Sequence, residues 1–348
     1  MEPVTHLLTG ACLGRAGFNR KTALATLTLT LATEMPDIDM LGYFGGSVTG
    51  FAHHRGITHS LIGAPLDAAL TIALVYGIHR WTRRRGRAQT VDPDWRLLYL
   101  FAVVGALVHL LQDFTNSYGV RPFAPFNSRW YSWDIVFIID PIMLIALLCG
   151  LALPALFSLV TEEIGERKSQ FHGRGGAVFA ISCLALVIFI RDLEHRRAVN
   201  ALSSVTYRDQ DALRVSAFAT IWNPFAWDGV VETRDFFQLV PVNSRSGELD
   251  TENDENIRYK PEETPATLAA KKSRLGRVYL DWAQYPLTEV VRRPHGEEYL
   301  VRLTDLRFAG ISRAQKGQPS VLAGYVLLDP TLHVEDMFMG TPPPEMMK

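Results

Sequence analysis

Histidine and aspartate recur at the ends of apolar segments along the first half of this chain. Asp37 and Asp39 lie in M-P-D-I-D, His53, His54 and His59 in H-H-R-G-I-T-H-S, His109 and Asp113 in H-L-L-Q-D-F, and Asp134 and Asp140 in W-D-I-V-F-I-I-D-P. Ionisable groups are expensive beside lipid, and a divalent metal held between them is the simplest partner that offsets the expense. His109 and Asp113 are spaced to share one helix face a turn apart, so both can reach a single ion. The histidines around Arg55 and Gly56 exceed what packing requires, and Gly56 frees the backbone to turn so that His54 and His59 converge. Arg55 can neutralise a phosphate or hold a ligating carboxylate through its planar fork. Pro36 ends the helix before it, and the turn that follows presents Asp37 and Asp39 to one side, a way to bracket a hard divalent ion. The local alternatives are an ordinary His–Asp pair on a helix, and a hydrated loop in which Thr58 or Ser60 caps the next helix.

The elements that must position these residues are membrane-length. Four apolar stretches, 61–78, 97–111, 135–160 and 177–190, are candidate spans, two of them shorter than the roughly 20 residues of a straight crossing. Before them, 4–14 and 22–33 are short apolar pieces separated by Arg15, Gly17, Asn19, Arg20 and Lys21, which predicts a tight helical hairpin. No secretory signal peptide is expected, since no basic residue precedes the first apolar run and no small-residue cleavage site ends it. Arg80, Arg83, Arg84, Arg85 and Arg87 crowd one loop, which the positive-inside rule makes cytoplasmic. Arg15, Arg20, Lys21, Arg167, Lys168 and Arg174 then fall on the same side. His6, Asp37, Asp39, the 53–59 loop, His109, Asp113 and Asp134 fall together on the opposite one. Arg191, Arg196 and Arg197 run against this assignment at the last crossing.

After Arg191 the chain turns polar, with an acidic stretch over 248–263. The fold class expected is mainly α: a polytopic membrane helix bundle over 1–190, followed by a small soluble α+β domain over 191–348. Strand-like alternation marks 229–242, 298–309 and 321–328, helical character marks 265–282, and 223–227 forms an aromatic turn. A net charge of −1 without a basic stripe speaks against nucleic acid as a partner. Cys12, Cys149 and Cys183 form no C-x-x-C pair, so they are expected as small buried hydrophobes rather than disulfides or thiolate ligands. His79, His172, His195, His295 and His333 stand in no ligand register and default to surface or loop roles.

Taken in order, P-V-T-H, P-D-I-D, H-R-G-I-T-H-S, H-L-L-Q-D-F-T-N-S-Y-G-V-R-P-F-A-P-F and W-D-I-V-F-I-I-D-P resemble the YdjM family of membrane-bound metal-dependent hydrolases, also described as LexA-binding and inner-membrane-associated. The resemblance covers roughly residues 1–160. It implies functional positions at His6, Asp37, Asp39, His54, Arg55, His59, His109 and Asp113, with Asp134 and Asp140 behind them. The motif order is also distantly similar to zinc-dependent phospholipase C, although the free N-terminal ligand of that group has no expected counterpart in Met1-Glu2.

The expectation is therefore an inner-membrane, multi-pass hydrolase with its soluble domain on the outer side. Its metal, zinc before manganese or iron, would be held by His6, Asp37, Asp39, His54, His59, His109 and Asp113, with Asp39 and Arg55 serving catalysis. Membrane lipids, or a lipid-linked phosphoester, are the expected partners, because the site opens at headgroup level. Two further readings stand beside it. One is a metal-stabilised scaffold without catalysis; the other is an ion- or proton-coupled transporter in which Asp67, two turns beyond His59, serves as a relay. Asp67 reads equally as a buried acid that orients a histidine ligand or bonds to a threonine.

Overall fold

A computed structural model describes residues 1–86, 92–163, 173–292, 298–308 and 322–341. Arg87, Arg167, Lys168, His172, His295 and the first residue of the 321–328 strand lie outside them. The chain divides into two compact units, one of Met1–Asp39, Arg55–Leu193 and Thr220–Pro224, the other of Met40–His54, Glu194–Ala219 and Phe225–Lys348. The N-terminal region is helical, and a small antiparallel sheet domain follows it.

The first unit opens with the expected hairpin. Helix α1 (Pro3–Ala16) is capped by the Glu2 side chain, which accepts from the Thr5 amide, and Pro3 sits where a missing N–H does no harm. A single 3₁₀ turn, Phe18–Arg20, leads to α2 (Ala25–Ala32). The two helices touch backbone to backbone: a Cβ on Gly10 would stand 2.5 Å from the Leu29 carbonyl oxygen, so only glycine fits. Helices α4 (Gly63–Arg84) and α5 (Trp95–Phe114) pack on α2 through the buried alanines Ala32, Ala68 and Ala102, the small-residue contact that membrane helices favour. Asp94 caps α5, accepting from the Arg96 and Leu97 amides. Helix α6 (Pro141–Glu163) starts on Asp140, which accepts from the Ile142 and Met143 amides, and α7 (Arg174–Ser203) is the longest helix described.

Among the described residues, α5 and α7 are each long and apolar enough to cross a membrane, and α4 joins them if taken with the helical turns before it. Leu66, Leu70 and Leu74, spaced at i, i+4 on α4, are exposed, as are Val178, Phe179, Leu186 and Phe189 on α7; such stripes suit contact with lipid tails. Cys149 is exposed on α6 and Cys183 is half-buried, so only Cys12 fits the expectation of a buried hydrophobe.

In the second unit, α3 (Ser47–His53) lays Phe51 against Trp282 and Tyr279, with ring centroids 5.2 and 6.0 Å away. The strands β1 (Arg214–Ala219), β2 (Ala226–Glu232), β3 (Phe236–Asn243), β4 (Glu248–Leu249) and β5 (Ile257–Tyr259) form one antiparallel sheet, with β4 and β5 both on β3. Helices α8 (Pro265–Lys272) and α9 (Arg274–Trp282) precede a second sheet of β6 (Pro286–Arg292), β7 (Tyr299–Asp305), β8 (Gly324–Leu328) and β9 (Val334–Met339). Phe218, Val230, Phe237, Leu239, Tyr285, Leu287 and Leu306 make its main core. The 229–242 alternation resolves into a hairpin of β2 and β3, because Thr233 turns the chain by bonding the Phe236 amide and carbonyl. The single 265–282 helix breaks at Ser273, whose extended backbone ends α8 while its hydroxyl caps α9 at Gly276.

Candidate metal centre

Asp113 is the hub of a polar cluster buried in the first unit. It stands one turn beyond His109 on α5, with its Oδ2 3.4 Å from His109 Nε2. His59 ends the short 3₁₀ turn Ile57–His59 and brings its Nε2 to 3.3 Å from the same oxygen and 3.0 Å from His109 Nε2. Asp37, in the 3₁₀ segment Met35–Gly45 that Pro36 helps to start, places Oδ1 3.3 Å from His59 Nε2 and 3.7 Å from His109 Nε2.

Hydrogen-bond partners assign the ring protons. His109 Nδ1 lies 2.8 Å from the Thr33 carbonyl, which only accepts, so Nδ1 carries the hydrogen and Nε2 a lone pair. His59 Nδ1 lies 3.1 Å from Asp39 Oδ2, which likewise makes its Nε2 the unprotonated nitrogen. Two nitrogen lone pairs and two carboxylates thus face one another with all four atoms within 4.8 Å, an arrangement that repels itself unless a cation stands between. Ligand atoms ~2.0–2.2 Å from a tetrahedral ion stand ~3.3–3.6 Å apart. Five of the six distances here run from 3.0 to 3.7 Å and all four atoms lie within 4.8 Å of one another, so the four residues are close enough to hold one metal ion.

A second point of convergence lies on the other oxygen of Asp113. His6, on α1, stacks on His109 with ring centroids 3.9 Å apart and turns Nε2 to 3.3 Å from Asp113 Oδ1. Its tautomer follows from a chain of bonds: Thr9 Oγ1 donates to the Thr5 carbonyl and accepts from Gln112 Nε2, so Gln112 Oε1 accepts from His6 Nδ1. The Met1 amino group and the Arg55 guanidinium also meet Asp113 Oδ1, the latter at 2.8 Å. Burial and then the Arg55 charge push the Met1 amine well below its ordinary range. The Met1 nitrogen stands beside Asp113 and outside the group of four. Gln112 and Met1 are contacts that no motif spacing announced.

Arg55 is held from several sides. Its Nη1 donates to the Gly119 carbonyl at 2.8 Å, its guanidinium lies 4.7 Å from the Tyr118 ring centroid, and its amide donates to Asp39 Oδ2 at 2.7 Å. The left-handed residue in this turn is Arg55 itself (φ 54°), while Gly56 has a negative φ. Burial first, then the neighbouring Asp37 charge, pushes Glu34 up to about 8; sequence reading had passed over this residue.

The remaining candidates are placed as follows. Asp39 contacts His59 Nδ1, Arg55 and Thr58 rather than joining the group of four. His54 belongs to the second unit, where its ring stands edge-on to Tyr43, and it is not among the four. Asp140 caps α6 and pairs with Arg191 at 2.7 Å, Asp134 occupies a left-handed position in the loop before it, and Asp67 is buried on α4.

A family model described as YdjM inner membrane protein matches residues 1–198, more than half of the 348-residue chain. The uncharacterized protein YfhP of Bacillus subtilis is 25% identical over 161 residues, 44% of this chain and 46% of its own. The chain thus spans about half the length of that relative. No solved structure matches.

Proposed function

The chain belongs to the YdjM inner membrane protein family, and from that premise we propose that it is a membrane-bound metal-dependent hydrolase acting on phosphoesters of lipids or lipid-linked groups. The observation that carries this reading is the facing set of His59 and His109 lone pairs with Asp37 and Asp113, beside a buried guanidinium. Mixed imidazole and carboxylate donors suit zinc first, with manganese and iron behind it. Bound there, the metal would polarise a phosphoryl or acyl oxygen and make a water acidic enough to attack. Asp39 fixes the His59 ring through Nδ1 and so keeps Nε2 aimed at the centre. Arg55 neutralises Asp113 and offers its positive charge to an anionic group entering beside it. Entry is favoured on the Asp37 side, because that side chain is 15% exposed while those of His59, His109 and Asp113 are at most 1% exposed.

That same closure favours a second reading, a metal-stabilised scaffold, since a structural zinc is enclosed by four protein ligands whereas a catalytic one keeps an open position. One experiment separates them. Purified full-length protein is assayed for metal by elemental analysis and for turnover of phospholipids, lipid-linked phosphates and simple esters with zinc or manganese. The hydrolase reading expects bound metal and turnover, abolished in His59→Ala and lowered about 10–100-fold in Asp39→Ala. Arg55→Lys should raise KM while leaving metal content near wild type, because lysine keeps the charge and loses the planar grip. Full metal occupancy with no turnover selects the scaffold; unchanged turnover in the variants removes the site altogether.

A further inference from the structure

The turn at 121–127, in the segment after α5, presents an apolar tip flanked by two arginines, and one of them bonds to Arg55. Backbone bonds from Ala124 to the Arg121 carbonyl, and from Phe126 and Asn127 to the Phe123 carbonyl, fold 121–127 into a tight double turn. Phe123 and Phe126 point outward from it, 48% and 85% exposed. In a water-soluble protein an exposed phenylalanine pair on a loop has no offsetting contact. Here the turn is tied to the head of α4, because the Leu61 amide donates to the Pro122 carbonyl at 2.9 Å. Leu61 and Ile62 are exposed, and they continue the outward stripe of Leu66, Leu70 and Leu74. The phenylalanines therefore stand at the end of a lipid-facing surface, at the depth where aromatic side chains and bilayers meet.

The charge of the segment names the partner more narrowly. Between Phe114 and Asp134 the chain carries Arg121 and Arg129 and no acidic residue. Arg121 lies over the Trp130 ring at 4.5 Å and Arg129 over the Tyr131 ring at 5.5 Å, so each guanidinium is seated on an aromatic ring beside the turn. Phe123 packs edge-on against Tyr131 at 5.6 Å, joining the apolar tip to the cationic rim. Cations at the rim of an inserting apolar tip match phosphate-bearing headgroups above acyl chains.

We infer that the 121–131 segment is a membrane anchor in which Phe123 and Phe126 enter the acyl-chain region, and Arg121 and Arg129 contact the phosphates of anionic phospholipids in the same bilayer. The anchor stands independently of any reaction at the metal centre. It reaches that centre by two bonds, Arg121 Nε to the Arg55 carbonyl at 3.3 Å and Arg55 Nη1 to the Gly119 carbonyl, so seating the turn in lipid also steadies Arg55.

The test uses the full chain with its native cysteines replaced and Phe126→Cys labelled with an environment-sensitive nitrobenzoxadiazole dye, reconstituted in phosphatidylcholine vesicles containing phosphatidylglycerol. Ser128→Cys, labelled the same way, reports a neighbouring polar position. The expected result is quenching of the Phe126→Cys label by lipids spin-labelled on the acyl chain, with protection from aqueous iodide and the reverse at Ser128→Cys. Headgroup contact is read from spin-labelled phosphatidylglycerol against spin-labelled phosphatidylcholine, where a preference of about two- to fivefold is expected, falling toward unity in Arg129→Gln. Iodide quenching of the Phe126→Cys label without acyl-chain quenching overturns the insertion. Equal quenching by the two headgroups overturns the anionic contact.

Discussion

Asp113 meets a different set of partners on each carboxylate oxygen: His59 and His109 on Oδ2, and His6, Arg55 and the Met1 amine on Oδ1. That division makes it the residue least replaceable by an isosteric amide, whose NH₂ would be forced toward one set of cations or lone pairs. Glu34 gives a prediction about pH. Its carboxyl is raised from 4.5 to about 8, so the folded protein keeps a proton that the unfolded chain releases. Stability linked to this group is therefore present below about pH 4.5 and lost progressively as pH rises toward about 8. In metal-stripped protein, Glu34→Gln should flatten that decline and melt above wild type near pH 8, by thermal unfolding followed with circular dichroism; parallel curves for the two proteins would refute it. At this scale the sequence was readable where spacing encodes geometry. His109 and Asp113 are four apart on a helix, and Asp37 sits beside a proline that fixes its turn. It was unreadable where the partner arrives from another element: Gln112 setting the His6 tautomer, Glu34 beside Asp37, the Met1 amine at Asp113, and His54 packing on Tyr43 although it adjoins Arg55 in sequence.

Helices α1, α2 and α5 act as one positioning device, since His6, the Thr33 carbonyl that orients His109, and His109 itself come one from each. Their contact depends on Gly10, one turn after His6. A methyl there would stand 2.3 Å from Thr33 Oγ1 and 2.5 Å from the Leu29 carbonyl, and backbone cannot yield as a side chain can. Gly10→Ala is expected to force α1 from α2, costing about 1–3 kcal/mol of stability as overpacking does, and to lower metal affinity through the displaced His6 and Thr33. Thermal unfolding and metal titration in detergent would check both; wild-type values for each would show that the hairpin tolerates the methyl. The hairpin, the helical bundle and an α+β domain with strands over parts of 229–242, 298–309 and 321–328 were legible from apolar run lengths and alternation, which depend on local pattern, whereas the antiparallel pairing of the strands was not. The break at Ser273 and the hairpin at Thr233 depended instead on single hydroxyls, a signal too small to stand out among the other serines and threonines.

At the scale of the first unit, the basic residues and the polar cluster occupy opposite ends of the same helices. Thr22, beside Lys21, accepts from the Asp94 amide, and Arg174 donates to the Ala16 carbonyl, so the hairpin tip, the loop after α4 and the start of α7 meet at one end. Met1 and His6 begin α1, Thr33 follows α2, and His109 and Asp113 close α5, all at the other end. Along α5 the separation from Trp95 to His109 is about 20 Å, most of a hydrocarbon core. Of the three arginines that run against this orientation, Arg191 is fully buried against Asp140 at 2.7 Å and presents no free charge to the aqueous phase, whereas Arg196 and Arg197 are exposed and still oppose it. From the positive-inside rule we propose that the basic end faces the cytoplasm, and that the cluster and the C-terminal unit face the opposite side of the membrane. In intact cells with the native cysteines replaced, a membrane-impermeant maleimide should label Ser128→Cys and Ser246→Cys directly, and Arg83→Cys only after permeabilisation. Labelling of Ser128→Cys and Arg83→Cys from the same side would mean that the helices carrying His109 and Arg83 do not separate the cluster from the basic end across a bilayer, and the lipid-facing reading of α4 and α5 would fall with it.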